Sequence, residues 1–181
     1  ALCDALPGSP VEELDVADVG MGVTGVTSLA KAISSMAAIA RLTLSRNAIT
    51  DKGKDLSGLK VLCEVLPSLK NPISLDLANC DFKVAEVNEL AEAINARAAL
   101  NEVNVAFNQI GSEGGIALRD ALKTSNLKFL TIGKMYTSAG GAVITGSQVT
   151  TGVTLSAGGR LGELIKGPDS DLDVKLKWAD N

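Results

Sequence analysis

Apolar and polar residues alternate along three short stretches of this chain, and each stretch runs into the same kind of turn. The stretches read L-x-L-x-x-N/C-x-I/F, with an asparagine or cysteine where the alternation ends, at 42–49, 75–82 and 103–110. Weaker copies begin at 14 and 130. The intervals of 28, 33, 28 and 27 residues separate the first apolar positions, which are Leu14, Leu42, Leu75, Val103 and Leu130. Self-similarity at such a period predicts a solenoid.

A second apolar pattern follows each alternating stretch. Its spacing is i, i+3, i+4 and i+7, which is one face of an α-helix. It occupies 26–33, 59–66, 87–94 and 115–122. Each repeat is therefore predicted to be one strand and one helix, which makes the fold class α/β. Stacked repeats would form a horseshoe with parallel strands on the concave face and helices on the convex face. The five extra residues of the second repeat fall in the loop 51–58.

The two ends of the chain depart from this pattern. Leu2, Cys3 and Leu6 precede Leu14 at helical spacing, so the sequence is expected to be a fragment that opens inside a truncated repeat. Residues 1–135 are predicted to be repeats, and residues 136–181 an irregular terminal repeat with a C-terminal cap. In that cap we expect a last helix at about 159–166 and a final edge strand over 171–178.

The alternating phrases resemble leucine-rich repeats of the ribonuclease-inhibitor-like class. The stretch 110–119, Ile-Gly-Ser-Glu-Gly-Gly-Ile-Ala-Leu-Arg, closely resembles the I-G-x-E-G-x-x-A-L segment of that class. The loop 53–60 is similar to an insertion common in such repeats from unicellular algae and related protists. The resemblance implies the horseshoe fold and a role in binding other proteins, and it does not imply a particular activity.

Composition narrows the function further. The formal net charge is −4 and no block of like charges occurs, which argues against nucleic acid as a partner. No apolar run is long enough for direct membrane insertion. The chain has no histidine, the commonest general base and metal ligand, and its three cysteines lack metal-ligand spacing. We therefore expect no catalytic, cofactor-binding or metal-binding residues, and a reduced, intracellular environment. The compartment stays open.

Two sets of residues are candidates for special roles. A structural ladder is expected where the chain leaves each strand, since side chains there can bond buried backbone groups; it comprises Asn47, Cys80 and Asn108. A partner-binding surface is expected from strand residues that point away from the core; it comprises Arg41, Thr43, Arg46, Asp76, Glu102, Asn104, Phe107 and Phe129. The plainer interpretations are that the arginines pair with Asp76 and Glu102 across adjacent strands, and that the phenylalanines tuck under neighbouring segments.

The stretch from Gly20 to Gly25 fits G-x-G-x-x-G between a strand and a helix. A nucleotide-binding loop would need a supporting acidic residue on a further strand, which is missing, and repeat turns require glycine anyway. The pattern is therefore assigned to a structural turn.

These observations favour a non-catalytic protein–protein interaction scaffold, whose partner is another protein or protein complex. Two alternatives stay open: an accessory structural subunit of a large assembly, and a sensor or regulatory region of a longer multidomain protein. A GTPase-activating role is known for one branch of the class, but no residue here marks it. Partner identity, oligomeric state and the face that binds do not follow from the sequence.

Overall fold

The structure is a computed structural model of the 181-residue chain. It describes residues 2–96 and 99–132, together with the backbone of three strands at 154–157, 160–166 and 174–178. The described helices are α1 (Leu2–Ala5), α2 (Val23–Ile33), α3 (Ser57–Val65), α4 (Val84–Asn95) and α5 (Gly111–Leu122). The described strands are β1 (Glu13–Asp15), β2 (Arg41–Thr43), β3 (Ile73–Asp76), β4 (Leu100–Asn104), β5 (Phe129–Ile132), β6 (Thr154–Ala157), β7 (Arg160–Lys166) and β8 (Val174–Trp178).

All of these strands belong to one sheet, in the order β1-β2-β3-β4-β5-β8-β7-β6. The first five strands are parallel and in register at equivalent repeat positions, so that Leu42 aligns with Leu14 on one side and Leu75 on the other. A helix connects each parallel strand to the next, as such crossovers require. The predicted solenoid of strand–helix repeats is thereby confirmed.

One continuous core lies between the sheet and the helices. The apolar residues of the alternating phrases point into it: Leu42, Leu44, Val103 and Val105 have no exposed side-chain surface. The helical stripes meet them from the other side, as Val26, Leu29, Ala30 and Ile33 do in α2. Strands and helices therefore bury the faces that the two apolar periods indicate.

The extra residues of the second repeat form a turn between β2 and α3 that is hydrogen-bonded to the next repeat. Thr50 is fully buried, and its hydroxyl donates to Oε1 of Glu86 at 3.3 Å. Glu86, also buried, accepts the N–H of Lys83 at 3.0 Å and so caps α4 of the next repeat. Gly53 lies against the same carboxylate. The insertion is thus tied to the following repeat.

Two expectations for the C-terminal part are wrong. Residues 160–166 form strand β7, where a helix was predicted. Apolar residues four apart suit one face of a strand as well as one face of a helix, and Gly162 lowers helix propensity in so short a segment. Strand β8 is also not an edge, because it pairs antiparallel with both β5 and β7. The outer position belongs to β6.

Candidate functional site

The concave face, defined as the sheet face opposite the helices, carries two rows of side chains across the parallel strands. The register places Glu13, Arg41, Ser74, Glu102 and Phe129 in one row. The second row contains Asp15, Thr43, Asp76, Asn104 and Thr131. Six of the eight predicted partner-binding residues therefore lie in two adjacent rows, while Arg46 and Phe107 follow the ends of their strands.

Three residues of the second row also hold the strand ends in place. Oδ1 of Asp76 accepts the N–H of Ala78 at 2.9 Å, and Oδ1 of Asn104 accepts that of Ala106 at 3.0 Å. Asp15 does the same for Ala17 in the first repeat. Such an i to i+2 bond stabilises a turn directly after the strand. Asp76 and Asn104 thus have a structural function in addition to any contact with a partner.

The charged side chains of the first row pair with near neighbours. Nε of Arg41 lies 3.7 Å from Oε1 of Glu13, and both side chains are more than half exposed. The hydroxyl of Ser74 donates to Oε2 of Glu102 at 3.5 Å. In the second row, Oδ1 of Asp76 accepts a hydrogen bond from Nδ2 of Asn104 at 3.2 Å. Arg41 therefore pairs across adjacent strands, as one interpretation proposed, but with Glu13 instead of Asp76 or Glu102.

Asn108 fills the turn slot of the fourth repeat and bonds to two repeats at once. Its Nδ2 donates to the carbonyl of Leu77 at 2.9 Å and to that of Val105 at 3.0 Å. Its Oδ1 accepts the N–H groups of Cys80 and Phe82, both at 3.0 Å. The side chain is buried, so these backbone groups have no access to water in its place.

Asn47 occupies the equivalent slot of the second repeat. Its Nδ2 donates to the carbonyl of Val16 at 2.8 Å and to that of Leu44 at 2.9 Å. Its Oδ1 accepts the N–H of Met21 at 2.8 Å, in the middle of the glycine-rich turn. Gly20 in that turn has a φ of +68°. These contacts give Gly20 and the turn around it a structural role.

Cys80 takes the slot in the third repeat with a weaker donor. Its Sγ lies 3.5 Å from the carbonyl oxygen of Leu44 and 3.6 Å from that of Ala78. Burial raises the pKa of the Cys80 thiol to about 11, so the group carries its proton at neutral pH and can donate. A thiol in this state is a poor nucleophile.

The residue just before each ladder slot has a left-handed backbone, and so does Asp18 at the equivalent position of the first repeat. These residues have φ values between 53° and 58°: Asp18, Arg46, Asn79 and Phe107. All four are exposed. Backbone bonds fix the conformation, because the N–H of Arg46 donates to the carbonyl of Ala78 at 2.9 Å and that of Asn79 to Ala106 at 2.9 Å. The column therefore presents one outward side chain per repeat along the strand ends.

The remaining predicted contact residues differ in accessibility. Phe107 is 52% exposed, whereas Phe129 and Thr43 are half-buried. Phe129 aligns with Glu102 in the parallel part of the sheet and with Lys177 of β8. Nη1 of Arg46 lies 4.0 Å from Oδ2 of Asp18, its neighbour in the left-handed column. The partner-binding role of all these residues stays a prediction.

The helix side offers a shallow groove between α4 and α5. Its lining comprises Asn88, Ala91, Glu92, Asn95, Ala117, Asp120 and Ala121. Hydrogen bonds from Lys123 and Arg119 lower the pKa of Asp120, so its charge is already matched. Within the described part of the chain, no three Cys, Asp or Glu side chains come close enough together to hold a metal ion.

Sequence reasoning missed two features of this surface. The left-handed column could have been suspected only at Asp18 and Asn79, since aspartate and asparagine favour positive φ. Arginine and phenylalanine give no such signal. The link between the insertion and Glu86 was missed because no periodicity connects Thr50 with a residue 36 positions later.

Comparison with known proteins gives consistent matches. The profile of the Leucine Rich repeat family matches residues 100–118. Ribonuclease inhibitor of Mus musculus is 27% identical over 134 residues, which is 72% of this chain and 28% of that protein. NACHT, LRR and PYD domains-containing protein 5 of Bos taurus is 31% identical over 125 residues, which is 67% of this chain and 11% of the relative. The chain therefore spans less than a third of the length of these relatives.

None of the described helices is long and apolar enough to cross a membrane.

Proposed function

Because this chain is a leucine-rich-repeat protein with ribonuclease-inhibitor-like repeats, we propose that it is a non-catalytic scaffold that binds another protein on its concave face. The observation that carries the proposal is the in-register stacking of five parallel strands. Stacking sets the two rows of side chains at roughly 4.8 Å intervals. A surface that is already ordered loses little conformational entropy on binding, which favours affinity.

The relatives support this class of function. The mouse relative is, by its name, an inhibitor of ribonuclease, and so acts on another protein. The composition of the two rows also fits a protein partner, because charged, amide and hydroxyl side chains alternate and Phe129 adds an aromatic ring at one end. We propose that the protein is intracellular, because the pattern of its three cysteines favours a reduced environment. We also propose that it does not bind nucleic acid.

The exposed apolar residues favour a scaffold over an obligate subunit. A permanently assembled subunit exposes a contiguous apolar patch when alone. In the described part of the chain, the large apolar residues that are exposed lie on four separate segments; they are Leu2, Val19, Phe107 and Ile116. Their scatter suits single contacts better than one continuous interface. A regulatory region of a longer protein would bind its partner through the same concave face.

The proposal is tested by affinity purification with the full chain as bait. Thr43 lies between Asp15 and Asp76 in the second row, and Thr43→Arg would place a long cation on the concave face. Asn88→Arg makes a matched change on the exposed helix side. We expect proteins captured by the wild type to be lost with Thr43→Arg and kept with Asn88→Arg, while both variants melt within a few degrees of the wild type. Equal capture by both variants would contradict the proposal.

A further inference from the structure

The helix layer is wider than elsewhere between the second and third repeats. Helix α3 packs less closely on α4 than on α2, while α4 and α5 again pack closely. Long side chains span the gap, with Nζ of Lys60 at 3.2 Å from Oε1 of Glu89. The strands beneath do not separate, because the N–H of Leu44 donates to the carbonyl of Asp76 at 2.8 Å. The widening is therefore confined to the convex side.

One helix position accounts for this difference. The residue directly before each helical apolar stripe is a glycine in three repeats and a glutamate in one; these are Gly25, Gly58, Glu86 and Gly114. A Cβ at Gly58 would lie 2.7 Å from the carbonyl oxygen of Val23 in α2. A Cβ at Gly114 would lie 3.2 Å from Cγ1 of Val87 in α4. The glycines thus allow close packing on the preceding helix, and Glu86 places a long side chain there instead.

The inserted turn, residues 50–55, provides a polar partner for that side chain. The hydroxyl of Thr50 donates to Oε1 of Glu86 at 3.3 Å, and a Cβ at Gly53 would lie 2.7 Å from the same oxygen. Thr50 and Glu86 are both buried, where a carboxylate without hydrogen bonds would be costly. The insertion and the glutamate therefore occur together at the one boundary where the helices are held apart.

The inserted turn is a rigid spacer. The N–H groups of Gly53 and Asp55 donate to the carbonyl of Thr50 at 3.0 and 3.1 Å. Three consecutive residues have positive φ, with 45° at Asp51, 57° at Lys52 and 85° at Gly53. Such a run persists only where the surrounding contacts enforce it. We define Glu86 and residues 50–55 as the wedge.

We infer that the wedge sets the curvature of the concave face and so selects the partner surface that fits it. A solenoid curves because each repeat is rotated slightly against the next. Strands fixed at roughly 4.8 Å beneath helices that are held apart require a larger rotation at this boundary. The boundary runs between Thr43 and Asp76, which are adjacent in the second row. The inference rests on the proposed function and adds what determines its specificity.

The test removes the wedge and measures the spread of the helix layer. Deleting residues 51–55 gives the second repeat the turn length of the third and fourth, and Glu86→Gly restores the glycine of the other repeats. Spin labels at Lys31→Cys and Ile116→Cys, exposed positions on α2 and α5, report the distance by double electron–electron resonance. We expect the double variant to shorten the mean distance by at least about 2 Å, since contact side chains change helix spacing by this much.

The native cysteines need not compete for the spin label. Burial raises the pKa of the Cys63 thiol to about 12 and that of Cys80 to about 11, so little reactive thiolate exists at neutral pH. Cys3→Ser removes the half-buried thiol of α1 in every protein compared.

Glu86→Gln is the matched control, because an amide of the same size can still bond both the Thr50 hydroxyl and the N–H of Lys83. It should change the distance by less than about 1 Å. Glu86→Gly with the insertion intact should shorten the distance by a smaller amount, and it decides alone if the double variant does not fold. An unchanged or longer distance would overturn the inference. Failure of both glycine variants to fold would also overturn it, since the wedge would then serve folding.

Binding of a protein captured by the wild type tests the specificity. The double variant should bind it at least about tenfold more weakly, and Glu86→Gln should stay within about twofold. Equal affinity despite a shortened distance would overturn the inference and leave the proposed function standing. The distance measurement needs no partner, so it still tests the wedge if equal capture by Thr43→Arg and Asn88→Arg contradicts the proposed function.

Discussion

Nδ2 of Asn108 donates to the carbonyl oxygen of Leu77 across 2.9 Å, and this bond joins the fourth repeat to the third. Leu77 itself is fully buried, so no water can replace the amide. The same side chain also donates to its own repeat and accepts two N–H groups from the preceding turn. One residue thus satisfies buried backbone groups on both sides of a repeat boundary.

Replacing Asn108 with alanine should therefore lower the free energy of unfolding by at least about 2 kcal/mol, because each stranded buried group costs about 1–3 kcal/mol. Chemical denaturation monitored by circular dichroism measures the change. Asn88→Ala, on the exposed surface of α4, is the control and should stay within about 0.5 kcal/mol of the wild type. Similar losses for the two variants would rule out the bridging role.

At Phe107 the cost of the left-handed backbone can be measured separately from the loss of the aromatic ring. Phe107→Asn and Phe107→Ala both remove the aromatic contact, but only asparagine suits a φ of 58°. We expect the asparagine variant to be more stable than the alanine variant by about 1 kcal/mol, the lower end of the usual left-handed penalty. Thermal melts of the pair measure the difference. If alanine were equally stable, the backbone at Phe107 would not be strained.

Gly53 is constrained twice, by its φ of +85° and by a carboxylate. A Cβ at this position would lie 2.7 Å from Oε1 of Glu86, which is buried and cannot move freely. Gly53→Ala should therefore cost more than the roughly 1 kcal/mol expected for a positive φ alone.

Gly20→Ala provides the comparison for Gly53. Gly20 has a φ of +68°, and a Cβ there would meet nothing within 4 Å. The difference between the two unfolding free energies isolates the contact with Glu86. We expect Gly53→Ala to be the more destabilising by at least about 1 kcal/mol. A smaller loss at Gly53 than at Gly20 would show that the inserted turn shifts away from Glu86 at no cost.

Stability should decline in alkali because of a buried thiol. Burial, followed by the nearby charges of Glu89, Glu64 and Glu92, raises the pKa of Cys63 from 9.0 to about 12. The unfolded chain therefore loses this proton at a lower pH than the folded chain. The contribution of the protonated Cys63 thiol to the free energy of unfolding is fully present below about pH 9. It is lost as the pH rises from about 9 to 12, at up to about 1.4 kcal/mol per pH unit.

Denaturation curves of the wild type and Cys63→Ala at pH 7 and pH 10.5 test this linkage. Other groups also titrate in that range, so the comparison is between the two proteins. The wild type should lose more stability than the variant over this interval. An equal loss in both proteins would show that the Cys63 thiol ionises alike in the folded and unfolded states.

The repeat architecture could be predicted because two apolar periods reinforce each other. A period of two places Leu42 and Leu44 on one side of a strand, and a helical period places Leu59 and Leu62 opposite them. No comparable pair of patterns exists near Leu161 and Ile165, whose spacing fits either element. There, the hydrogen bonds with β6 and β8 determine that the segment is a strand. Pairing with distant segments leaves no local pattern in the sequence.

The candidate surface was predictable only in part. Alternation shows which strand residues face away from the core, as it did for Thr43 and Asn104. It does not show which of them also bond the backbone, as Asp76 and Asn104 do. The left-handed position before each ladder slot follows from the hydrogen bonds between repeats. Arginine and phenylalanine intrinsically favour other backbone conformations than the one found at Arg46 and Phe107. The left-handed position could therefore be recognised only in the structure.

The reversal of strand direction after β5 limits how such an array can change in length over evolution. Duplication of a strand–helix unit between β1 and β5 keeps every neighbour parallel, and the covering helix makes the usual right-handed crossover. Inserted between β8 and β7, which are antiparallel to each other, the same unit could run parallel to only one of its two neighbours. Gain or loss of whole units should therefore occur among the first five strands, while the three antiparallel strands are inherited as one block.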